Sequence, residues 1–417
     1  MSGDHDGTTG GPRPGDHRRT LLAALAASGA LLVASCAPQA AAPAEPGPPV
    51  PAYGARLQPE LEQLSRDMLV TGAVVQVRSA ELGDWTTTIG TRTFRGSDPV
   101  QVGDHVRIGS VTKTWTGTVV LQLVDEGVLR LDDPVATYRP DVPNGQDITL
   151  EQLLTMRSGL GNYTTSPEVN RRMDADPGAV FDPEELIAIG LAEPARFPPG
   201  EGYFYSNTNT LLLGRIVEQV TGTPLEVEIE RRVLAPLGMS GSAFPARTSS
   251  ALPEPYANGY TYGTNVETAD TNVLSQEKQE AARAGTLAPL DVTGTNPSWA
   301  WSAGAGISTS DDLVTYVRAL VGGGLLSDGM QQARLDSVRP VDPADPQGVG
   351  YGLALARFGP FYGHTGELPG YNTFAGHDPE RDTTVVVWAS LAPSPDGRAP
   401  AVEMARTIIG ELSDAGR

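Results

Sequence analysis

Large hydrophobic side chains recur at helical spacing over residues 57–68. This is the first stretch of the chain after its N-terminal region that could contribute to a hydrophobic core. These residues predict a helix over residues 56–68, and they are Leu57, Leu61, Leu64 and Met68. Two short runs rich in valine, threonine and tryptophan follow at residues 73–77 and 85–89. They predict strands, because β-branched and aromatic side chains favour extended backbone. The folded part therefore begins with a helix and a pair of strands.

The middle of the chain, from about residue 110 to residue 326, changes to amphipathic patterns with helical spacing. One stretch covers residues 210–220 and is closed by Gly222, and another covers residues 311–320 and is closed by Gly322. A glycine just after an apolar periodic segment is typical of the end of a helix. We therefore predict a largely helical region between two parts that are rich in strands.

The C-terminal part returns to strand patterns. Residues 373–376 and 383–390 predict strands, and the turn-rich sequence DPERD separates them. Residues 400–412 have the pattern of a closing helix. Strands at both ends of a helical insertion predict an α+β fold with one antiparallel sheet built from both termini.

The N-terminus has the features of an export signal. Arg18 and Arg19 precede an apolar stretch over residues 21–33, which is too short to span a bilayer and has the length of a signal-peptide core. The stretch ends in VASC, which resembles the bacterial lipoprotein cleavage box with Cys36 as the lipidated first residue of the mature protein. We therefore assign residues 1–35 as a lipoprotein-type signal peptide. A plain secretory signal and twin-arginine export are the alternatives.

A tract rich in proline and alanine follows. Residues 36–56 contain too few large apolar side chains to pack, and we interpret them as an extended tether. Acyl chains on Cys36 would hold the folded domain, residues 57–413, at the membrane. No later segment is long and apolar enough to be a second membrane span. We expect an exported lipoprotein attached to the outer face of the cell membrane.

Composition restricts the function further. The formal charge of −20 and the lack of clustered arginines argue against nucleic acid as a partner, since phosphate binding needs clustered cations. Cys36 is the only cysteine, so the folded region has no thiol for a disulfide, a nucleophile or a metal ligand. After export only His105, His364 and His377 remain, widely spaced in the sequence. We therefore expect no metal site and no cofactor.

One of the only two lysines, Lys113, lies three residues after Ser110 in the sequence RIGSVTKTWTG. If a helix begins at Ser110, the two side chains share a face about one turn apart. The helix N-terminus and burial both disfavour a protonated amine. A neutral lysine would accept the proton of Ser110, which an arginine cannot do. The S-x-x-K spacing is weak by itself, because a pattern with two fixed positions recurs by chance.

Two later sequences complete a set. The sequence YSN, which begins at Tyr205, comes directly before a helical pattern, and HTG, which begins at His364, lies on a predicted strand. Together with the S-x-x-K sequence, and in this order, they resemble the serine beta-lactamase and penicillin-binding protein superfamily, in particular the branch of class C beta-lactamases and D-alanyl-D-alanine carboxypeptidases. The resemblance extends over about residues 58–410. It implies a sheet flanked by helices, an inserted all-helical subdomain at about residues 115–330, and an active site in the groove between them.

The resemblance also implies a role for each catalytic side chain. Ser110 would attack a carbonyl carbon, with Lys113 as the base that accepts its proton. Tyr205, its phenol made more acidic by neighbouring cations, would pass a proton to the leaving group and later help to activate water. Asn207 would hold Lys113 and the substrate amide. The oxyanion hole would combine the backbone N–H groups of Ser110 and Glu367.

The third motif concerns the substrate. A cationic or hydrogen-bonding His364, followed by Thr365 and Gly366, suits a substrate with a free carboxylate, such as D-alanyl-D-alanine or penicillin. The resembling carboxypeptidases add an arginine on the preceding strand. Arg357 lies one residue later than that position, and a one-residue shift turns a strand side chain to the opposite face. Glu367 stands where those enzymes have a small hydroxyl residue, and its carboxylate would repel that of the substrate.

Trp299, in the sequence PSWAWSAGAGIS, matches a tryptophan that lines the pocket of the resembling enzymes, with a buried structural role as the alternative. The leading hypothesis is a serine hydrolase that forms an acyl-enzyme on Ser110 and acts as a D-alanyl-D-alanine carboxypeptidase on cell-wall peptides. An esterase or beta-lactamase with the same residues is one alternative. A slow penicillin- or muropeptide-binding lipoprotein is the other. We expect a monomer whose partners are peptidoglycan peptides or small acyl donors, with beta-lactams as acylating ligands.

Overall fold

The computed structural model of the chain describes residues 50–269 and 271–415. The strands within these residues are β1 Gly72–Ser79, β2 Trp85–Gly90, β3 Val106–Arg107, β4 Tyr260–Thr261, β5 Leu290–Asp291, β6 Ile307–Ser308, β7 Arg339–Pro340, β8 Gly350–Tyr351, β9 Ala356–Phe358, β10 Phe361–Leu368, β11 Tyr371–Asp378 and β12 Thr383–Ala389. The α-helices are α1 Ala52–Asp67, α2 Thr112–Asp125, α3 Leu150–Leu154, α4 Pro167–Ala175, α5 Pro183–Ala192, α6 Asn207–Thr221, α7 Leu225–Ile229, α8 Asn265–Thr268, α9 Gln276–Arg283, α10 Ser310–Gly322, α11 Asp328–Asp336 and α12 Pro400–Ala415.

One antiparallel sheet forms the centre of the fold, with the strand order β2-β1-β12-β11-β10-β9-β8-β7. Its first strand in sequence, β1, pairs with its last, β12, in a register that begins with Ala73 opposite Ala389. Strands from the beginning and the end of the folded part therefore lie side by side in the same sheet. The predicted α+β fold with one antiparallel sheet is confirmed.

Helices cover both faces of this sheet. On one face α1 and α12 pack against the strands, and Leu61 and Met404 belong to one buried apolar cluster. On the other face the largest buried cluster includes Trp115 of α2. Val386 and Val387 are successive residues of β12 and belong to different clusters, because successive side chains of a strand point to opposite faces.

The region between β3 and β7 contains α2 to α11 and only short strands, as the amphipathic pattern predicts. Helix α6 ends at Gly222, which adopts a left-handed backbone with φ 66°. Glycine accepts this conformation without the steric cost that other residues meet. Helix α10 includes Gly322, and its C-cap residue is Gly323, one residue later than the glycine that the pattern predicts as the end of the helix.

The first helix begins earlier than predicted. The hydrophobic spacing predicts a start at residue 56, whereas α1 begins at Ala52. Tyr53 is buried, packs edge-on against Trp85 with ring centroids 6.0 Å apart, and donates a hydrogen bond to the carbonyl oxygen of Gly83 at 2.6 Å. The last residues assigned to the tether therefore belong to the folded domain.

The remaining N-terminal predictions lie outside the described residues. They concern the signal peptide at residues 1–35, Cys36, and the tether up to residue 49. Among the helices of residues 50–269 and 271–415, none is long and apolar enough to cross a membrane.

Candidate active site

Ser110 and Lys113 form the centre of the candidate site. Ser110 lies in the 3₁₀ turn Gly109–Val111, and Lys113 lies in the first turn of α2, which follows directly. Nζ of Lys113 donates hydrogen bonds to Oγ of Ser110 at 2.9 Å and to the carbonyl oxygen of Ala303 at 2.8 Å. The hydroxyl and the amine therefore face each other, as their spacing in the sequence predicts.

Lys113 has the environment of a base. Its side chain is buried, and this burial lowers its pKa well below the usual value, because a desolvated ammonium has lost its stabilising water. A neutral amine next to a serine hydroxyl is able to take the proton of that hydroxyl as the serine attacks a carbonyl carbon. The pair is therefore equipped for nucleophilic catalysis.

Threonine hydroxyls fix the start of α2 against the segment of residues 302–306. Oγ1 of Thr112 donates to the carbonyl oxygen of Gly109 at 2.7 Å and accepts from the backbone nitrogen of Gly306 at 3.0 Å. Thr116 donates to the carbonyl oxygen of Ser302 at 2.8 Å. The same segment supplies the carbonyl of Ala303 to Lys113. Sequence reasoning missed this contact, since a backbone carbonyl leaves no signal in residue type.

Two glycines allow the Ser110 turn to contact β10. Gly109 has a φ of 53°, and a Cβ at this position would lie 2.5 Å from the backbone nitrogen of Glu367. A Cβ on Gly366 would lie 1.9 Å from the carbonyl oxygen of Ile108. The backbone N–H groups of Ser110 and Glu367 thus belong to two segments in direct contact. This arrangement suits the oxyanion hole that the resemblance implies.

Tyr205 lies two residues before α6 and contacts both central groups. Its ring centroid lies 4.9 Å from Nζ of Lys113, and the Ser110 side chain is near enough to its hydroxyl to lower the phenol pKa. Desolvation raises the pKa of the Tyr205 phenol, and the nearby Ser110 side chain opposes this only in part. The expectation of a more acidic phenol is therefore wrong, because burial outweighs the neighbouring polar groups. A protonated Tyr205 is suited to donate a proton to a leaving group.

Asn207 begins α6 and does not bind Lys113 as expected. Its Nδ2 donates to Oδ1 of Asn162 at 3.4 Å and to Oγ1 of Thr164 at 3.3 Å, and its backbone nitrogen donates to the same Oδ1 at 3.1 Å. The carbonyl of Ala303 takes the place beside Lys113 that was predicted for Asn207. The Asn207 side chain instead lines the cavity described below.

His364 is buried on β10 and both of its ring nitrogens are engaged. Nδ1 donates to the carbonyl oxygen of Thr365 at 2.5 Å, which leaves Nε2 to accept a hydrogen bond from the hydroxyl of Tyr351 at 3.1 Å. Burial lowers the pKa of His364 to about 3. His364 is therefore neutral near pH 7, and it acts in the site as a hydrogen-bonding residue and not as a cation.

A cavity of about 360 Å³ is lined by Glu367, which follows the HTG sequence, and by Asn207, whereas Ser110, Lys113 and His364 are not among its lining residues. Asn207, Trp299 and Glu367 line it, so the structure brings together three of the predicted site residues around one space. Trp299 is partly buried, and its carbonyl oxygen accepts a hydrogen bond from the hydroxyl of Tyr163 at 2.7 Å. Among the described residues, the ionisable side chains in this lining are carboxylates, those of Asp174 and Glu367.

The Glu367 side chain is held by two amides. Oε2 accepts from Nδ2 of Asn372 at 3.1 Å, and Oε1 accepts from Nδ2 of Asn272 at 3.4 Å. Asn372 is itself fixed, because its Oδ1 accepts from the backbone nitrogens of Ala401 and Val402 at the start of α12. Burial raises the pKa of the Glu367 carboxyl to about 7, against a smaller lowering by the bond from Asn372. The sequence predicted Glu367 as a site residue, but it did not predict the hydrogen bonds from Asn272 and Asn372 that hold its carboxylate.

The other substrate-binding candidates divide into two groups. Thr365 and Gly366 lie on β10 beyond Phe361–Gly363, the residues that pair with β9, and therefore lie beside the Ser110 turn. Arg357 lies on β9 opposite Tyr362, does not line the cavity, and has a buried Nε without a hydrogen-bond partner. The structure thus does not bring Arg357 to the place where a carboxylate-binding arginine was expected.

Comparisons with known proteins identify the family to which the chain belongs. Residues 66–407 match the family model described as Beta-lactamase. The D-stereospecific amidohydrolase from Streptomyces sp. is a similar solved structure, with 32% identity, a TM-score of 0.68, and coverage of 85% of this chain and 97% of that chain. Esterase EstB from Burkholderia gladioli is 29% identical over 72% of this chain and 78% of its own length. Penicillin-binding protein 4* from Bacillus subtilis is 27% identical over 76% of this chain and 67% of its own length.

The family match covers most of the chain, including the Ser110 turn, the Tyr205 segment and β10. The relatives named above comprise an amidohydrolase, an esterase and a penicillin-binding protein. These proteins differ in their substrates, so the match defines the catalytic class and leaves the acyl donor open. The chain therefore belongs to the beta-lactamase family and is a serine hydrolase of the beta-lactamase and penicillin-binding protein type.

Proposed function

We propose that this protein cleaves amide or ester bonds through an acyl-enzyme on Ser110. The supporting observation is the 2.9 Å contact between the hydroxyl of Ser110 and the buried amine of Lys113. Oγ forms a bond to the substrate carbonyl carbon while its proton passes to Lys113. Tyr205 protonates the leaving group as the bond from the carbonyl carbon to that group breaks. Water then attacks the carbonyl carbon of the ester on Ser110 and gives a proton to Tyr205, while Lys113 returns its proton to Oγ as the bond from Oγ to the acyl carbon breaks and the acid is released.

The charge of the site favours acyl donors without a carboxylate next to the reacting bond. His364 is neutral near pH 7, Arg357 lies away from the cavity, and Glu367 adds a carboxylate beside the Ser110 turn. A substrate carboxylate would meet repulsion from Glu367 and no compensating cation within the described lining. The amidohydrolase and the esterase among the relatives support this choice.

A D-alanyl-D-alanine carboxypeptidase is the second candidate. It is favoured by the sequence of His364, Thr365 and Gly366 on β10 and by the similarity to penicillin-binding proteins. Its substrate carries the carboxylate that the described lining does not favour. A slow penicillin-binding protein would share this requirement, because penicillin also carries a carboxylate.

Mass spectrometry of the intact protein tests these proposals together. The protein is incubated with a fluorophosphonate, D-alanyl-D-alanine peptides, beta-lactams and short-chain esters, and the mass increase and its lifetime are recorded. We expect labelling by the fluorophosphonate, turnover of neutral esters or amides, and loss of both in Ser110→Ala. The control Ser97→Ala changes an exposed serine and should behave as the wild type. Failure of the fluorophosphonate to label Ser110 would contradict the hydrolase proposal, and fast turnover of D-alanyl-D-alanine would favour the second candidate.

We also propose that the protein is exported and anchored to the outer face of the cell membrane through Cys36. The proposal is supported by the VASC sequence after the apolar stretch and by the proline-rich residues that follow. Metabolic labelling with a radioactive fatty acid, followed by membrane fractionation, tests it. Wild-type protein should carry the label and sediment with membranes, and Cys36→Ala should lose the label. A labelled Cys36→Ala variant or an unlabelled wild type would overturn this proposal.

A further inference from the structure

The ionisable side chains that the structure describes in the cavity beside the Ser110 turn are all acidic. Glu367 projects a carboxylate into its lining, and no lysine, arginine or histidine lines it among the residues that the structure describes. A largely desolvated carboxylate is costly unless it is paired with a cation. We propose that Glu367 binds a cationic amine of the substrate, so that this hydrolase prefers acyl donors that carry a free ammonium group. This inference rests on the proposed hydrolase function.

The hydrogen bonds of Glu367 leave capacity for such a ligand. Each carboxylate oxygen has room for more than one donor, and Oε1 and Oε2 accept hydrogen bonds from Asn272 and Asn372, respectively. Asn372 is clamped by the start of α12, which holds Oε2 in place. The carboxylate is therefore oriented in advance, which reduces the ordering that binding requires. The raised pKa of Glu367 agrees with a group that lacks its counter-ion.

The second carboxylate in the cavity lining, that of Asp174, has a structural role. Asp174 accepts hydrogen bonds from the backbone nitrogens of Asn265 and Val266, and from the side chain of Asn265, at 2.7 to 2.9 Å. These donors belong to the start of α8, so Asp174 fixes that helix to α4. Asp174 is thus already satisfied by the fold and serves as a matched control for Glu367.

Glu367 lies where it could hold the ammonium group of a substrate close to the reacting carbonyl. Its backbone nitrogen belongs to the segment that contacts Gly109 and is part of the proposed oxyanion hole, while its side chain faces the cavity. A substrate bound through its amine would therefore be positioned by the same residue that borders the reacting carbonyl. Loss of the carboxylate should therefore lower kcat/KM for the amine-bearing substrate relative to the neutral one.

Two charge series test the proposal. In the first, the acyl group varies among D-alanine p-nitroanilide, its N-acetyl derivative and its N-succinyl derivative. In the second, the leaving group of N-acetyl-D-alanine varies among a 2-aminoethylamide, D-alaninamide and D-alanine. We expect kcat/KM in at least one series to favour the cationic member over the neutral one by about tenfold or more. Glu367→Gln should bring the ratio of kcat/KM for the cationic member to kcat/KM for the neutral member close to one, and Glu367→Asp should restore part of this ratio.

The controls separate this proposal from the hydrolase function. Asp174→Asn removes the same charge from the same cavity and should keep the preference. Fluorophosphonate labelling of Ser110 reports whether the catalytic residues remain intact in each variant. No preference in either series, or an equal loss of all substrates in Glu367→Gln with normal labelling, would overturn the amine proposal alone. Absence of both labelling and turnover in the wild type would remove the hydrolase function and this inference with it.

Discussion

The amine of Lys113 and the hydroxyl of Ser110 meet at 2.9 Å inside the protein, and the amine makes its second contact with the carbonyl of Ala303. A carbonyl is able to hold an amine in place without stabilising a full positive charge as a carboxylate would. Burial therefore favours the neutral form of Lys113, and catalysis depends on a group at this position that is able to lose its proton.

Replacing the base should abolish most of the activity. Lys113→Met removes the proton acceptor and Lys113→Arg replaces it with a group that stays protonated, so both should lower kcat/KM by about 10²–10⁴. The measurement is hydrolysis of a neutral ester together with the rate of fluorophosphonate labelling. The control is Lys278→Arg, because Lys278 is the only other lysine and lies on the surface in an ion pair with Glu267. A Lys113→Arg variant with wild-type rates would contradict the proposed role.

The same substitution should change how stability depends on pH. The unfolded chain binds a proton at Lys113 that the folded protein does not bind, between the lowered pKa and the ordinary value of 10.5. The free energy of unfolding of the wild type should therefore rise with pH across this window. Lys113→Met lacks this contribution, so its stability relative to the wild type should fall as the pH approaches 10.5. Urea unfolding at several pH values measures this, and a difference independent of pH would contradict it.

The main strands and helices could be predicted from the sequence, because long segments with periodic apolar residues form their secondary structure according to that local pattern. The strands around Val75 and Val387 and the helix that ends at Gly222 are all where apolar periodicity predicts them. The close approach of Ser110 and Lys113 followed from helical spacing alone. These features depend on residues near one another in the sequence.

The remaining parts of the site depend on tertiary contacts that no pattern encodes. The carbonyl of Ala303 reaches Lys113 from a distant segment, and Asn162 takes the amide of Asn207. The pKa of Tyr205 had the opposite direction from the one expected, since burial is a property of the packed protein and not of the motif. The start of α1 was missed because Tyr53 packs against Trp85, which lies beyond the helix in sequence.

The contact between the Ser110 turn and β10 should tolerate no side chain at Gly366. A Cβ there would lie 1.9 Å from the carbonyl oxygen of Ile108, so Gly366→Ala must move β10 away from the turn and carry the backbone nitrogen of Glu367 with it. Loss of one oxyanion donor typically costs about 10²–10³ in rate, and we expect a fall of this order in acylation of Ser110. Gly103→Ala is the control, because a Cβ there meets no neighbour within 4 Å. Acylation at the wild-type rate in Gly366→Ala would exclude this strand from the oxyanion hole.

Glu367 should reduce stability as the pH rises. Its pKa is raised from 4.5 to about 7, so the folded protein holds this proton more tightly than the unfolded chain between those values. The free energy of unfolding of the wild type should therefore fall across this window relative to Glu367→Gln, by at most about 3 kcal/mol. Chemical unfolding of the two proteins at pH 4 to 8 is the measurement. A constant difference between them would show that the carboxyl has the same pKa in both states.

Removing the carboxylate of Glu367 should also make the protein a better target for penicillin. Penicillin carries a carboxylate, and the lining of the cavity offers it two acids and no cation among the described residues. Glu367→Thr removes one negative charge beside the Ser110 turn, and acylation by a fluorescent penicillin should accelerate by on the order of tenfold. Asp174→Asn should have a smaller effect, because that carboxylate is already bonded to the start of α8. If the wild type is acylated as fast as Glu367→Thr, the carboxylate does not disfavour anionic substrates, and the D-alanyl-D-alanine carboxypeptidase becomes the better proposal.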